Sequence, residues 1–341
     1  MRERLKILLG SAGAWIPQQW LVRLTGQDLI LPYYHAVSDS PVPHLSHVYP
    51  VRTVRRFKRD LEFLLRHFEP AGLEDLLSPA PVKKRRPSMF LSFDDGLAEI
   101  YSIVSPILIA KGLPAALFVN TDFLDNRALF YRYKISLILD RLEKTGYSPA
   151  VTGRLQSQYD LAGSDRKSVR EFILDIAYED RRELDAIAGF LDLDFGTFLK
   201  VRKPYMSLQQ LRELGNQGFY IGAHSRDHPE FKGISAGDRI MQYRDSMEFL
   251  QKELGLKYGL FSFPFSDGGV PAEFFDQVRQ AGMPRLDASF GTAGLKRDPL
   301  PNHFQRIQME TRRASAGCLI RGEYLYYLAK APAGRNLVRR A

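Results

Sequence analysis

The sequence of 341 residues predicts an α/β fold around a largely parallel sheet or barrel. Short apolar segments of strand length alternate with segments whose apolar residues recur at helical spacing. This alternation is typical of units in which a helix connects two parallel strands. The middle of the chain, at about residues 130–205, carries helical patterns only, and we interpret it as a helical insertion in a loop that follows a strand.

Local patterns mark the individual elements. The segments with the pattern of buried strands span residues 29–37, 89–93, 115–119, 219–223 and 260–265. Helices are expected to begin where a side-chain hydroxyl can accept a hydrogen bond from the first turn, at Thr53, Ser207 and Ser235. Asp238 lies three residues after Ser235, a spacing that resembles a capping box. The last two helices are expected to end at Gly218 and Gly255, because glycine readily adopts the left-handed backbone that closes a helix.

On this interpretation the chain has three segments. Residues 1–27 are an N-terminal amphipathic segment, residues 28–310 are the α/β domain with its insertion, and residues 311–341 are a basic C-terminal helix or tail. Two apolar stripes at helical spacing predict helices within the insertion. Their residues are Val169, Phe172, Ile173 and Ile176, and then Leu184, Ile187 and Leu191. Additions to loops at the carboxyl end of a barrel often shape a substrate site.

The composition is that of a soluble globular protein, apart from its charge. Hydrophobic residues make up 45% and charged residues 26% of the chain, and the single cysteine, Cys318, excludes an internal disulfide. The net charge is +9. Part of the excess lies in clusters that could contact nucleic acid, an anionic membrane or an acidic polymer: Lys83 to Arg86, Arg312 with Arg313, and Arg339 with Arg340. Since no nucleic-acid-binding module is recognisable, we expect no nucleic-acid partner and interpret the clusters as a solvated loop and a frayed tail.

Residues 1–24 combine basic and apolar side chains. Three basic residues precede an apolar stretch at residues 7–16 that superficially resembles a signal peptide, but glycine and serine interrupt it and it is too short to span a bilayer. We therefore expect a protein in the cytoplasm or at the membrane periphery. Both tryptophans, Trp15 and Trp20, lie here. Two interpretations stay open: an interfacial helix in peripheral contact with a membrane, and a helix packed on the domain's own surface.

The first chemical signal is a pair of adjacent carboxylates, Asp94 and Asp95, which follow an apolar strand and precede Gly96. Neighbouring acids at a strand end repel each other, and few structural roles require them. The presence of two adjacent carboxylates would be explained if one of them binds a metal ion and the other acts as a base. The alternative is a polar turn that caps a helix, because Asp-Gly pairs are common in turns.

The second signal is a pair of histidines four residues apart, His224 and His228, just past another strand. Imidazoles at this spacing can reach one divalent ion, and a carboxylate can complete a three-ligand site that leaves positions open for water. Asp95 can join them in a parallel barrel, because the strand ends converge on one face. A third segment, with Phe263, Pro264 and Phe265, is either the end of a strand or an apolar wall beside a sugar ring or an acetyl methyl group.

Together these segments resemble the polysaccharide deacetylase family with the NodB homology domain, carbohydrate esterase family four. Residues 92–96, Ser-Phe-Asp-Asp-Gly, are similar to its first motif, residues 224–228, His-Ser-Arg-Asp-His, to its second, and residues 262–265 stand in the place of its third. The resemblance covers residues 29 to about 310. It implies a distorted (β/α) barrel, a divalent metal ion, expected to be Zn²⁺, and an N-acetylated sugar polymer or oligomer as substrate.

The resemblance also implies roles for individual residues. Asp94 would be the general base and Asp95, His224 and His228 the metal ligands, while Ser225 would position the loop between the histidines. Phe265 would contact substrate.

Two departures from the family pattern change which residues we expect at the site. The third motif usually begins with an arginine that braces the catalytic aspartate, and Ser262 stands there. Arg306, in an apolar run at residues 304–307, could supply the guanidinium from another strand. The leucine-flanked histidine of the C-terminal motif has no clear equivalent, and His303 has the sequence context of a loop. Residues 32–37 resemble the opening strand of the exopolysaccharide (poly-N-acetylglucosamine type) branch, whose catalytic histidine comes from that strand, so His35 is the candidate acid.

The sequence thus favours a metal-dependent hydrolase that removes N-acetyl groups from an N-acetylglucosamine-type polysaccharide. Three alternatives stay open. The chain could be a carbohydrate-binding protein that keeps the metal and has lost catalysis, although metal binding alone does not require Asp94. It could be a deacetylase or amidase of a small or lipid-linked sugar, with the insertion as a lid. It could also be a membrane-associated structural protein, supported only by the N-terminal segment and the charge.

Overall fold

A computed structural model of the chain describes residues 2–78, 84–161, 163–311 and 314–340. The basic residues Lys83, Arg312 and Arg313, which belong to the clusters noted in the sequence, lie outside the described residues. No helix among the described residues has the length and apolar character needed to cross a bilayer.

A parallel sheet forms the centre of the fold. Within the described ranges it has eight strands: β1 (Pro32–Tyr34), β2 (Leu91–Phe93), β3 (Ala115–Val119), β4 (Tyr220–Ala223), β5 (Leu260–Ser262), β6 (Ala288–Gly291), β7 (His303–Gln305) and β8 (Ile307–Gln308). Their order is β7-β6-β5-β4-β3-β2-β1-β8, and all neighbours are parallel. Only Arg306 separates β7 from β8, so one stretch of chain pairs with both ends of the sheet and nearly closes it. This architecture confirms the distorted (β/α) barrel.

Helices surround the barrel. In the described part of the chain they are α1 (Arg2–Ala12), α2 (Gln18–Thr25), α3 (Val54–His67), α4 (Leu73–Leu77), α5 (Ser105–Ile109), α6 (Tyr131–Thr145), α7 (Pro149–Tyr159), α8 (Arg166–Asp175), α9 (Glu183–Gly189), α10 (Phe195–Arg202), α11 (Leu208–Asn216), α12 (Ala236–Leu254), α13 (Ala272–Gln277) and α14 (Ala316–Lys330). A π-helical turn, Ile100–Val104, precedes α5. A small parallel sheet of Leu29–Ile30, Ser88–Met89 and Glu69–Pro70 lies before β1 and β2.

The predicted helix starts are confirmed. The hydroxyls of Thr53, Ser207 and Ser235 accept hydrogen bonds from backbone N–H groups in the first turns of α3, α11 and α12. At α12 the Asp238 carboxylate accepts a hydrogen bond from the Ser235 hydroxyl, 2.7 Å away. Gly255 closes α12 with a left-handed φ of 62°, which is the conformation that glycine adopts without steric cost.

Alternate residues of the strands face the barrel interior and the surrounding helices. The interior holds an aromatic cluster in which the Phe290 ring lies 5.8 Å from Phe90 and 5.1 Å from Phe118, measured between ring centroids. Further along the same strands, buried polar side chains replace the aromatic ones, as at Ser92 and Ser262. The buried polar side chains therefore lie at the carboxyl end of the barrel, the end at which barrel proteins carry their active sites.

The region predicted as a helical insertion contains α6 to α10 and lies between β3 and β4. Its expected apolar stripes are buried, including Val169, Ile173, Leu184 and Ile187. The last part of the region returns to the barrel at Tyr205, which forms an isolated β-bridge with Leu97 just after β2. The insertion consequently covers the carboxyl end of β2, where the two adjacent carboxylates lie.

The two chain ends pack against the domain. Helix α1 lies on α14, at a crossing so close that a Cβ added to Gly10 would overlap the Cys318 carbonyl oxygen. The interpretation of the C-terminal basic cluster as part of a frayed tail is wrong for Arg340. Its guanidinium, 5% exposed, lies 2.6 Å from carboxylate oxygens of both Asp267 and Asp298. Two buried carboxylates need a cation, and this arginine supplies it.

Candidate active site

The chemical side chains singled out in the sequence converge at the carboxyl ends of the strands. His35 follows β1, Asp94 and Asp95 follow β2, and His224 and His228 follow β4. They line one cavity of about 250 Å³, whose other walls come from Tyr33, Val48, Tyr49, Phe130, Phe263, Phe265, Thr292 and Gln308. Residues far apart in the chain are neighbours here because the barrel brings its strand ends together.

Asp95, His224 and His228 form a cluster with the geometry of a metal site. Asp95 Oδ1 lies 3.3 Å from His228 Nε2 and 3.6 Å from His224 Nε2. This carboxylate oxygen is buried without a hydrogen-bond partner among the described residues. His224 Nδ1 lies 2.8 Å from the Ser262 carbonyl oxygen, so Nδ1 carries the proton and Nε2 keeps its lone pair. One oxygen and two imidazole nitrogens within 4.8 Å of one another suit a divalent cation.

Burial keeps the His224 imidazole neutral. It lowers the pKa of His224 to about 4, although the nearby Asp94 carboxylate acts in the opposite direction. Only a neutral imidazole offers a lone pair to a metal ion, so the environment favours the metal-binding form at neutral pH.

Two tyrosines hold the second oxygen of Asp95. The Tyr133 hydroxyl, from insertion helix α6, donates to Asp95 Oδ2 at 2.6 Å, and the Tyr49 hydroxyl lies 3.0 Å from the same oxygen. Burial and the Asp95 charge raise the pKa of Tyr133 and Tyr49 well above the ordinary value, so both remain donors. With Oδ2 held in this way, Oδ1 is the oxygen that faces the histidines. Sequence reasoning missed both tyrosines, because neither lies near a motif.

Several residues of the site have strained backbone conformations. Asp95, Ser225, His228 and Phe265 have left-handed φ values of 70°, 66°, 63° and 55°. Non-glycine residues seldom adopt this conformation, and it persists where surrounding contacts enforce it. One such contact is made by Ser225, whose hydroxyl oxygen accepts the His228 N–H at 3.1 Å. This hydrogen bond connects Ser225 with the second histidine within the loop.

Asp94 is paired with Arg306 instead of facing the histidine cluster alone. The guanidinium donates from two nitrogens to the two carboxylate oxygens, both at 2.7 Å. It also donates to the hydroxyls of Ser92, at 3.1 Å, and Ser262, at 2.6 Å. Burial alone would raise the pKa of Asp94, but the Arg306 charge holds it below the ordinary value. Ser262 stands where the family motif has an arginine, and its hydroxyl here receives a guanidinium that enters from the β7–β8 junction.

His35 is held by a carboxylate that the sequence analysis did not single out. One carboxylate oxygen of Glu310 forms a hydrogen bond with His35 Nδ1. The other oxygen accepts hydrogen bonds from the backbone N–H groups of His35, at 2.7 Å, and Ala36, at 3.0 Å. Burial acts to lower the pKa of His35, but Glu310 outweighs it and raises the value to about 9. Tyr49 stacks on the imidazole, with ring centroids 4.3 Å apart. No local pattern marks Glu310, because its partner lies 275 residues away in the chain.

The expectation that His303 lies in a loop is wrong, because it is the first residue of β7. It belongs to another buried network and does not line the cavity. Its Nδ1 lies 2.7 Å from the Ser289 hydroxyl and its Nε2 lies 3.0 Å from Asp267. Asp267, Asp298 and His303 could by position hold a metal ion, but the Arg340 guanidinium already supplies a cation there. We therefore interpret this second cluster as structural.

Phe265 lies at the cavity mouth. Its side chain is 39% exposed, and its ring centroid is 4.7 Å from that of His228 and 6.1 Å from that of Phe130. An apolar ring in this position is available for contact with a sugar face or an acetyl methyl group.

Comparisons with known proteins agree with this fold. No family model and no curated protein matches the sequence. Among solved structures, the Streptococcus pyogenes deacetylase PplD in complex with acetate is 13% identical with a TM-score of 0.52, over 86% of this chain and 97% of that one. IcaB from Ammonifex degensii is 14% identical with a TM-score of 0.53, over 87% and 96%. A de-N-acetylase from Aggregatibacter actinomycetemcomitans is 14% identical with a TM-score of 0.51, over 85% and 97%. The chain has the same fold as these three proteins, as the sequence predicted.

The tyrosine contacts of Asp95 give a prediction for metal binding. Tyr133→Phe removes the donor to Asp95 Oδ2 without changing the size of the ring, so Asp95 loses part of its orientation. We expect zinc affinity, measured by competition with a chromophoric chelator, to fall by about 10- to 100-fold. Tyr101→Phe is the matched control, since it removes a tyrosine–carboxylate hydrogen bond to Glu213 outside the site. Equal zinc affinity in wild type and Tyr133→Phe would contradict the role of Tyr133.

Proposed function

We propose that the chain is a metal-dependent deacetylase that hydrolyses the N-acetyl amide of an N-acetylglucosamine-type polymer or oligomer. The observation that carries the proposal is the arrangement of Asp94. It lies buried beside the Asp95–His224–His228 cluster, with one oxygen 3.9 Å from His224 Nε2, and Arg306 keeps it ionised. A binding site for metal alone needs no such ionised carboxylate, whereas hydrolysis needs a base next to the metal.

Asp95, His224 and His228 would hold the ion, which we expect to be Zn²⁺. When bound, it polarises the acetyl carbonyl and increases the acidity of water at the site. Asp94 accepts the proton of the attacking water. Its bidentate pairing with Arg306 fixes the carboxylate plane, so the lone pairs that remain point in set directions.

The leaving amine needs a proton, and we propose His35 as its donor. Glu310 occupies Nδ1, which leaves Nε2 for the cavity, and the raised pKa keeps the ring protonated at neutral pH. Asp94 then acts as the proton acceptor and His35 as the proton donor. The apolar surface of Phe265 would contact the sugar or the acetyl methyl group. The products are a free amino sugar unit and acetate.

The N-terminal helices support an additional proposal, peripheral contact with a membrane. One side of α1 packs on α14, which agrees with the interpretation of a helix on the domain's own surface. The other side, with α2 and the link between them, exposes large apolar side chains: Leu5, Leu8, Trp15, Trp20 and Leu24, at 46% to 81%. Tryptophan and leucine beside basic residues suit the interface of an anionic bilayer. Location in the cytoplasm or at the membrane periphery remains part of this proposal.

The central experiment measures acetate release from N-acetylglucosamine oligomers by the purified protein. We expect release that stops when a chelator removes the metal and returns when zinc is added. Asp94→Asn should abolish release and keep the metal, because its amide can no longer accept a proton. Release that continues unchanged in metal-free protein would exclude the proposed mechanism, and chain-length preference would separate a polymer from a small substrate.

The pairing of His35 with Glu310 predicts a shift in the pH–rate profile. Activity that needs protonated His35 is lost as the pH rises through its pKa. Glu310→Gln removes the negative charge, so this pKa falls and the basic limb of the kcat profile moves to lower pH. His35→Gln should lower kcat by about 10²- to 10⁴-fold with unchanged metal content.

His303→Gln is the control for these variants, since His303 lies outside the cavity. We expect the basic limb of the kcat profile of His303→Gln to lie at the same pH as that of the wild type. An inactive, folded His303→Gln together with an active His35→Gln would place the acid on the C-terminal side.

The membrane contact is tested with substitutions that leave the packing of α1 on α14 in place. Trp15→Ser with Trp20→Ser should reduce co-sedimentation with anionic liposomes at low salt, because these side chains lie at the exposed surface. Ile109→Ser with Val201→Ser removes exposed apolar side chains elsewhere and serves as the control. Wild-type protein that stays in the supernatant at low salt would end this part of the proposal.

A further inference from the structure

The two histidines of the candidate metal cluster are held in different ways. His224 Nδ1 lies 2.8 Å from the Ser262 carbonyl oxygen, a contact that orients the imidazole. His228 Nδ1 is also buried, but it has no hydrogen-bond partner within the described part of the chain. A histidine that binds a metal ion normally donates its second ring N–H to a carbonyl or a carboxylate. The orientation of His228 therefore depends on its backbone and on the aromatic rings packed against it.

Gln242, a buried residue of α12, holds the residue that precedes His228. Its side chain is 4% exposed, and its amide oxygen accepts the backbone N–H groups of Arg226, at 2.9 Å, and Asp227, at 3.4 Å. Its amide nitrogen donates to Asp227 Oδ1 at 2.7 Å. One buried amide thus holds both the backbone and the side chain of Asp227.

The helical insertion contacts the other oxygen of the same carboxylate. The Tyr178 hydroxyl, in the loop between α8 and α9, donates to Asp227 Oδ2 at 2.6 Å. Arg181, in the same loop, has a guanidinium nitrogen 3.6 Å from this oxygen, and its guanidinium carbon lies 3.8 Å from the centroid of the Tyr178 ring. These three side chains form one polar contact between the insertion and the loop that carries His228.

A cavity of about 240 Å³ lies beside this polar contact. Asp122, Lys134, Arg181 and Asp227 are among the described residues in its wall. Because the space between the insertion and the barrel is open here, packing constrains the loop between α8 and α9 less than it would in a filled core. The polar contact with Asp227 is then needed to fix the loop against the barrel.

We propose that Tyr178 and Gln242 are positioning residues for the metal ligand His228. Both act through Asp227, Gln242 from the side of the barrel and Tyr178 from the side of the insertion. With Asp227 held in this way, His228 Nε2 stays directed at Asp95 Oδ1, 3.3 Å away. The insertion then belongs to the metal site, and docking of its loop and binding of the ion favour each other. This inference rests on the metal site of the proposed function.

The first test uses Tyr178→Phe in the full chain, which removes the hydroxyl and keeps the ring that contacts Arg181. We expect zinc affinity, measured by competition with a chromophoric chelator, to fall by about 10-fold. In protein loaded with Co²⁺ the visible absorption bands should shift, because they report the geometry of the ligands. Tyr159→Phe is the matched control, since it removes a tyrosine–carboxylate hydrogen bond of 3.0 Å to Glu183 within the same insertion. The control should keep the wild-type affinity and bands.

The second test exchanges donor and acceptor between positions 242 and 227. Gln242→Glu alone places two carboxylates against each other, so zinc affinity should fall at least as far as in Tyr178→Phe. Adding Asp227→Asn restores the contact, because the amide nitrogen introduced at position 227 can donate to the carboxylate introduced at position 242. The amide oxygen at position 227 still accepts from the Tyr178 hydroxyl. We expect the double variant to recover most of the lost zinc affinity and the wild-type Co²⁺ bands.

Wild-type zinc affinity in both Tyr178→Phe and Gln242→Glu would overturn the inference. An equal loss of affinity in Tyr159→Phe would assign the effect to general loosening of the insertion and would also overturn it. A double variant as weak as Gln242→Glu alone would show that Asp227 is not the link. Zinc affinity that depends on Tyr178, together with no acetate release from N-acetylglucosamine oligomers by the wild type, would contradict the proposed function and leave the positioning roles intact.

Discussion

The buried ion pair between Arg306 and Asp94 is the interaction on which the site depends. Both side chains are almost completely removed from solvent, and desolvating two charges costs on the order of several kcal/mol per ion. The pair offsets this cost with two short, parallel hydrogen bonds and with the hydroxyls of Ser92 and Ser262. The guanidinium also lies over the Tyr33 ring, 4.3 Å from its centroid, which provides a favourable cation–π contact.

The same pair connects barrel closure to chemistry. Arg306 lies at the single residue where the chain passes from β7 to β8, and these strands pair with opposite ends of the sheet. The Arg306 N–H donates to the Gly291 carbonyl oxygen of β6, and the next residue, Ile307, donates to Leu31. The strand that completes the barrel therefore delivers the charge that keeps Asp94 ionised. Removing one partner of such a pair typically costs about 3–5 kcal/mol, so this arginine is needed for stability as well as for the base.

Sequence patterns predicted the parts of the molecule that local chemistry determines. Strands β1 to β5, the helix caps and the polar strand ends at Asp94, Asp95, His224 and His228 are all local signals, whereas β6 was not predicted. The barrel then allowed the inference that these side chains meet. Arg306 could be proposed only because the resembling family has an arginine at the position of Ser262, so that another residue was needed to supply the guanidinium.

Contacts between distant segments could not be predicted in the same way. Glu310 and Tyr133 reach His35 and Asp95 from parts of the chain with no distinctive pattern. The sequence predicts Arg340 as part of a frayed tail, because the buried carboxylates that it neutralises are 42 and 73 residues away in the chain. Hydrogen bonds of this kind depend on tertiary packing, to which sequence spacing gives no guide.

Locating the metal ion tests directly whether the two adjacent carboxylates have different roles. Anomalous diffraction from crystals grown with Zn²⁺ would show the ion and its ligands directly. We predict one ion bound to Asp95 Oδ1 and to Nε2 of His224 and His228, with Asp94 still paired with Arg306 and outside the ligand set. An ion bound by Asp94, or one found only at Asp267, Asp298 and His303, would contradict it.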